Sequence, residues 1–73
     1  MKRLIKMSQI KDVTDLVQRA TMVDSDIIIT KGKYSIDAKS IMGVFSLDLT
    51  TGVTIEYPDD ETAFDDFIKV FEC

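Results

Sequence analysis

Ser40 is the residue of this chain whose surrounding sequence best suits a site of chemical modification. It opens the run SIMGVF, an apolar segment that contains a glycine. A serine hydroxyl at the start of a helix accepts hydrogen bonds from free backbone N–H groups, and a phosphate attached there would meet the same donors. The segment therefore predicts either a phosphorylation site or, in the simpler interpretation, a serine that only caps a helix.

The chain contains no histidine. This excludes Ser-His and Cys-His nucleophile pairs, histidine acid–base catalysis and histidine metal sites. We expect no metal, no cofactor and no independent enzymatic activity, because no constellation of nucleophile, base and oxyanion donor is present. The single cysteine, Cys73, cannot form an internal disulfide, which fits a reducing compartment.

Charge is distributed unevenly along the chain. Residues 1–39 hold eight Lys or Arg and five Asp or Glu, a net +3, whereas residues 40–73 hold one Lys and eight Asp or Glu, a net −7. Nucleic-acid binding is not expected, because no basic cluster is present. No apolar run approaches the ~20 residues that cross a bilayer, and the opening MKRLIKM is too short for a signal-peptide core of ~7 apolar residues. We expect a soluble, cytoplasmic protein.

Hydrophobic periodicity predicts the elements that position Ser40. KRLIKM suits a short edge strand, and VTIEY alternates apolar with polar residues as a half-buried strand does. DIIIT and YSIDA flank Gly32, which supplies the positive φ of a hairpin turn, and Tyr34, Ile36 and Ala38 form the inward face of the second strand. One apolar helical stripe comprises Ile10, Val13, Leu16, Val17 and Ala20, and a second comprises Ala63, Phe64, Phe67, Ile68 and Phe71. Ser8 or Asp12 is the expected cap of the first of these helices, and Asp59 or Asp60 that of the last.

The predicted order is β-α-β-β-α-β-α, with helices of one apolar stripe and strands of one apolar face. Such elements bury each other when the helices cover one side of a mostly antiparallel sheet. We therefore expect one domain, residues 1–73, with an α+β open-faced sandwich fold.

This order and three segments resemble HPr, the small phosphocarrier protein of the bacterial sugar phosphotransferase system. KSIMGVFSL is similar to the family's signature around its regulatory serine, and LVQRA and the SDI that follows it add weaker support. The match continues to the strand TTGVTIEY. The resemblance implies a four-stranded antiparallel sheet covered on one face by three helices. It also implies two phosphorylation sites, a histidine that opens the first helix and relays phosphate, and a serine that opens the second.

The resemblance places the missing histidine at Gln9, the adjacent arginine at Lys11 and the following proline at Asp12. A glutamine amide is not nucleophilic and does not carry a transferable phosphoryl group as imidazole does. Lys11 still attracts phosphate as a point charge but lacks the guanidinium fork. The pattern resembles the catabolite-repression HPr homologue, which also has glutamine there and keeps the serine.

The serine site is present as Ser40, and the resemblance implies partner docking by Ile41, Met42 and Phe45. We expect Val44 and Leu47 to lie in the core. The expected function is regulatory: a serine kinase modifies Ser40, and a transcriptional regulator or enzyme is bound. Two alternatives are a relay through Lys11 or an aspartate, and a constitutive interaction module, monomeric or weakly homodimeric.

Overall fold

The computed structural model describes residues 1–73 and has the predicted element order. The elements are β1 (Lys2–Ile5), α1 (Ile10–Thr21), β2 (Ile28–Lys31), β3 (Tyr34–Asp37), α2 (Ile41–Ser46), β4 (Val53–Glu56) and α3 (Thr62–Ile68), with short 3₁₀ turns at Leu49–Thr51 and Lys69–Phe71. None of the helices is long and apolar enough to cross a membrane.

The four strands form one antiparallel sheet in the order β1-β4-β2-β3. The register aligns Arg3, Ile55, Ile29 and Ile36 in one row across it. Side chains in a strand alternate between faces, so this row and its like-facing neighbours point toward the helices. The opposite face has no covering layer, and Leu4 on it is 52% exposed. The open-faced α+β sandwich is confirmed.

One hydrophobic cluster of 17 buried residues joins the inner sheet face to the helices. Its members are Ile5, Met7, Val13, Leu16, Val17, Ala20, Val23, Ile27, Ile29, Ala38, Val44, Leu49, Val53, Ile55, Tyr57, Phe64 and Ile68. No charged or polar side chain is buried in it. Val44 of α2 belongs to this cluster, so packing in the cluster fixes the position of α2.

The structure corrects both predicted helix caps. Gln9 precedes α1 and Glu61 precedes α3, and neither side chain makes a capping hydrogen bond. Asp12 lies inside the first turn of α1, where a carboxylate faces the helix dipole instead. Asp59 does not cap α3, and its carboxylate pairs with the Met1 ammonium at 2.7 Å instead.

Three residues predicted to face inward are exposed, namely Ile10, Tyr34 and Ala63. Ile10, at the first position of α1, is 74% exposed, whereas the rest of its stripe is buried. Tyr34 is 70% exposed at the turn end of β3, the outermost strand. In contrast, Gly32 has the positive φ of 59° that the hairpin turn was predicted to need.

Candidate functional site

Ser40 caps α2, as predicted. Its backbone is extended (φ −92°, ψ 101°), and its Oγ accepts a hydrogen bond from the Gly43 N–H at 3.3 Å. Asp37 positions the turn that leads into the helix: its carbonyl accepts from the Ser40 N–H at 3.0 Å and its Oδ1 from the Lys39 N–H at 2.9 Å. The Ser40 side chain is exposed, so the hydroxyl is accessible as well as correctly placed.

Gly43 keeps the space around the Ser40 hydroxyl open. A Cβ at this position would lie 3.2 Å from Ser40 Oγ and 3.7 Å from Ile36 Cδ1. The distance to Ser40 Oγ is short for a methyl group, whereas the distance to Ile36 Cδ1 is an ordinary contact, so a larger residue here would press on the serine. The glycine inside the apolar run thus serves the cap and not a turn, since its φ is not positive.

Ile41, Met42 and Phe45 form an exposed apolar surface, which we call the α2 surface. Met42 is 81% exposed, and Ile41 and Phe45 are each 44% exposed. Val44 faces the opposite way and is completely buried, as predicted, whereas Leu47 is only partly buried against the core. A helix of six residues has only one side to bury, so the other three apolar side chains remain in solvent.

Gln9 and the α2 surface meet at one shallow cavity. This cavity, of about 160 Å³, lies between the start of α1 and α2, and Gln9, Ile10 and Phe45 line it. Lys11 is exposed and does not line it. Ile10 is the neighbour that sequence reasoning missed, because its apolar type placed it in the buried stripe of α1.

Charges are absent from α2 and present at its two ends. No Asp, Glu, Lys or Arg occurs from Ile41 to Ser46, while Lys39 precedes the segment and Asp48 follows it. The hydroxyl and the backbone N–H of Thr50 both donate to the Asp48 carboxylate, and these hydrogen bonds lower its pKa below the usual value. A phosphate on Ser40 would therefore be the first charge in an otherwise neutral segment.

Arg3, Tyr57, Asp65 and Glu72 form a second polar cluster, the Arg3 corner, which sequence reasoning missed. Arg3 donates from Nε to Asp65 Oδ1 at 2.7 Å and from Nη1 to Glu72 Oε1 at 2.9 Å. The Tyr57 hydroxyl donates to Asp65 and accepts from Arg3 Nε at 3.1 Å. These contacts join β1, β4, α3 and the residues after α3.

The Arg3 corner is electrostatically satisfied and has no free nucleophile. Hydrogen bonds from Arg3 and then Tyr57 lower the pKa of Asp65. Burial, followed by the hydrogen bond to Asp65, raises the pKa of Tyr57 to about 12, so its hydroxyl stays protonated at neutral pH. No group of three His, Cys, Asp or Glu side chains in the chain is arranged to hold a metal ion. The corner therefore acts as a structural clamp.

Comparison with known proteins places this architecture in a family. The family model described as "PTS HPr component phosphorylation site" matches residues 9–72. The chain belongs to the HPr family. This family consists of phosphocarriers of the phosphotransferase system, which interact with partner proteins in that system.

Two solved HPr structures are similar to the chain over nearly its whole length. The crystal structure of the phosphocarrier protein HPr from Bacillus anthracis str. Ames is 28% identical, with a TM-score of 0.71 over 99% of this chain and 96% of that one. HPr-C-His from Thermoanaerobacter tengcongensis has a TM-score of 0.75 over 96% of this chain and 88% of that one. At 24% identity, this second likeness concerns the fold alone. The fold that the HPr resemblance implied is thus confirmed.

Proposed function

We propose that this chain is a regulatory, partner-binding HPr-family protein that does not relay phosphate through histidine and is controlled at Ser40. The observation that carries the proposal is the pairing of an accessible capping serine with the exposed α2 surface in a chain without histidine. In this proposal residues 1–73 act as one domain in the cytoplasm.

The residues at the first site argue against phosphate relay. Gln9 lines the cavity beside Phe45, but its amide nitrogen is not a nucleophile. Lys11 has no part in that cavity, and its ammonium is a point charge without the bidentate geometry of arginine. Gln9 therefore contributes surface for a partner and does not accept phosphate.

The geometry of Ser40 suits a phosphate that leaves the fold intact. The Gly43 N–H that now donates to Ser40 Oγ is a ready donor for a phosphate oxygen, and no carboxylate lies in the first turn of α2 to repel it. Phosphorylation adds about −1.5 to −2 charges beside an apolar surface. A partner that docks on this surface would sense the change directly.

The α2 surface has the chemistry of a docking site. Met42 is a flexible, polarisable side chain that adapts to irregular partners, and Phe45 offers aromatic contact area. Both sit on a segment anchored in the core through Val44. The proposed partners are proteins: a regulatory serine kinase that modifies Ser40, and a transcriptional regulator or enzyme that reads the result.

The direct test is incubation of the purified chain with an HPr kinase and ATP, followed by intact-mass measurement and site mapping. We expect one phosphate, on Ser40, and none in the Ser40→Ala variant. Ser46→Ala is the matched control, because Ser46 is an exposed serine at the C-terminal end of the same helix. Its hydroxyl donates to the Gly43 carbonyl and caps no free N–H group. Absence of phosphate on Ser40 would overturn the regulatory proposal.

A relay through another nucleophile is tested separately with phosphoenolpyruvate and the first enzyme of the phosphotransferase pathway. We expect no label on the chain, because no imidazole is available. An acid-labile phosphate on the protein would contradict the proposal and support the relay.

A constitutive interaction module is the second candidate, because an exposed α2 surface also suits a partner that binds regardless of Ser40. In that case the double variant Met42→Ser, Phe45→Ser would lose partner binding or self-association, as measured by light scattering. Ser40→Asp would leave both unchanged. Under the regulatory proposal, Ser40→Asp changes the affinity for the partner.

A further inference from the structure

The two edges of the sheet differ in whether another segment of the chain pairs with them. The outer edge of β1 is covered by the residues that follow α3, because the Lys6 N–H donates to the Phe71 carbonyl at 3.1 Å and the Cys73 N–H to the Leu4 carbonyl at 2.9 Å. The other edge is β3, which pairs only with β2. An exposed strand edge is a template for pairing with another chain.

The outward-facing backbone groups of β3 can be identified from the ladder. The Ala38 N–H donates to the Ile27 carbonyl at 2.8 Å, and hydrogen-bonded pairs alternate along an antiparallel ladder. Ile36 and Tyr34 therefore direct their backbone groups to β2, and Ser35 and Asp37 direct theirs outward. The Asp37 carbonyl already accepts from Ser40, so the outward groups left to pair are the Ser35 N–H and C=O and the Asp37 N–H.

We propose that β3 pairs antiparallel with β3 of a second copy of this chain, with Ser35 opposite Ser35 at the twofold axis. In this register the two Ser35 residues exchange their backbone hydrogen bonds, and each Asp37 N–H meets the Lys33 carbonyl of the second copy. The two four-stranded sheets then continue into one.

Charge complementarity selects this register. With Ser35 on the axis, Lys33 of each copy lies opposite Asp37 of the other, so two opposite-charge pairs form on the outer face. A register centred on Ile36 would instead oppose Lys33 to Lys39. One centred on Asp37 would oppose the two carboxylates, and like charges directly opposite are destabilising.

The inner face of the strand is also self-complementary. Tyr34 is 70% exposed and Ile36 is partly exposed, and the proposed register places Tyr34 of each copy against Ile36 of the other. Aromatic and β-branched residues are favourable cross-strand partners. Because the strand has four residues, the interface is small, and we expect an association on the order of 100 µM or weaker.

The test uses two charge variants, Lys33→Glu and Asp37→Lys, separately and mixed. Each variant alone would place like charges opposite each other, and we expect its self-association to weaken roughly tenfold or more. An equimolar mixture restores both opposite-charge pairs, so a heterodimer should form with affinity close to that of the wild-type pair. Sedimentation equilibrium at protein concentrations up to about a millimolar measures the dissociation constants of the wild-type chain, of each variant and of the mixture.

Circular dichroism of each variant shows whether the fold is intact, which matters for Asp37→Lys because Asp37 Oδ1 accepts from the Lys39 N–H. Amide hydrogen exchange gives the second readout: in the wild-type chain the Ser35 and Asp37 amides should become protected as the protein concentration rises. A wild-type chain that stays monomeric, variants that dimerise as well as wild type, or a dimer without protection at Ser35 would each overturn the proposal. The proposal does not depend on Ser40 or on the α2 surface.

Discussion

The α2 surface and the Arg3 corner lie in the same small fold and differ in what their side chains contact. In the α2 surface, three apolar side chains face solvent around one anchored valine. In the Arg3 corner, a guanidinium, two carboxylates and a phenol satisfy one another between four segments of the chain. The corner holds distant segments together, and the α2 surface, the proposed docking site, is left exposed to solvent.

The difference also concerns sequence distance. Ser40 and Gly43 are three residues apart, whereas Arg3 bonds to residues 54 to 69 positions away. Changes at the α2 surface should therefore alter what the protein binds with little effect on its stability. Changes near the Arg3 corner should do the reverse.

The largest expected effect separates two phenylalanines. Phe64 is 4% exposed and packs edge-on against Tyr57 of the Arg3 corner, with ring centroids 5.1 Å apart, whereas Phe45 is 44% exposed. Phe64→Ala should lower the free energy of unfolding by about 3–5 kcal/mol, and Phe45→Ala by less than about 1 kcal/mol. Urea denaturation measures both, with Phe64→Leu as the variant that retains a folded baseline. Equal losses at the two positions would remove the distinction between the regions.

The pH dependence of stability tests the Arg3 corner next. The pKa of Tyr57 is raised to about 12, so the folded state keeps a proton that the unfolded chain loses near the ordinary tyrosine pKa of 10.0. This stabilisation is present below pH 10 and is lost as the pH rises toward about 12, by at most about 3 kcal/mol.

A Tyr57→Phe variant should lack that alkaline loss, and denaturation of both proteins in a Tyr34→Phe background isolates the effect. Tyrosinate absorbance in the same background should show that Tyr57 ionises at a higher pH than an ordinary tyrosine. Parallel loss of stability in the two proteins between pH 10 and 12 would show that the corner does not hold the phenol in its neutral form.

A smaller effect is expected for the cap of α2. Ser40→Ala removes the acceptor of the Gly43 N–H and should lower the free energy of unfolding by about 1 kcal/mol. Ser40→Asp supplies a carboxylate in the same place and should retain most of that stability. Thermal melts of the two variants beside Ser46→Ala compare them, and a loss as large in Ser40→Asp as in Ser40→Ala would argue against the cap.

The smallest stability effect, with the largest effect on binding, is expected at Met42. Met42 is 81% exposed, so Met42→Ser should change the free energy of unfolding by less than about 0.5 kcal/mol. Met22→Ser is the matched control, because Met22 is 82% exposed and follows α1, away from the α2 surface. We expect calorimetry with a partner protein to show weaker binding for Met42→Ser only. Equal binding by both variants would remove Met42 from the docking site.

The predictable part of the fold was its local part. Two local patterns depend only on near neighbours: the helical spacing of Val13, Leu16, Val17 and Ala20, and Gly32 between two runs that favour strands. The structure confirms both. The exposure of Ile41, Met42 and Phe45 was expected from the resemblance to the HPr family, and all three side chains are exposed.

The errors came from long-range contacts. Asp59 was expected to cap a helix, but the Met1 ammonium binds its carboxylate. The Arg3 corner has no local motif, because its members are spread from β1 to the residues after α3 and meet only when the sheet forms. Ile10 has the right residue type and spacing for burial but precedes the part of α1 that the core covers.

The most direct test of the central claim is a comparison of ¹⁵N–¹H correlation spectra before and after an HPr kinase phosphorylates the chain. We expect large shift changes at Ser40, at Gly43 and across the α2 surface, and unchanged resonances at the Arg3 corner. That result would show a phosphate that alters the docking surface while the fold stays fixed. No phosphate on Ser40, or displaced resonances at Arg3, Tyr57 and Asp65, would contradict the account.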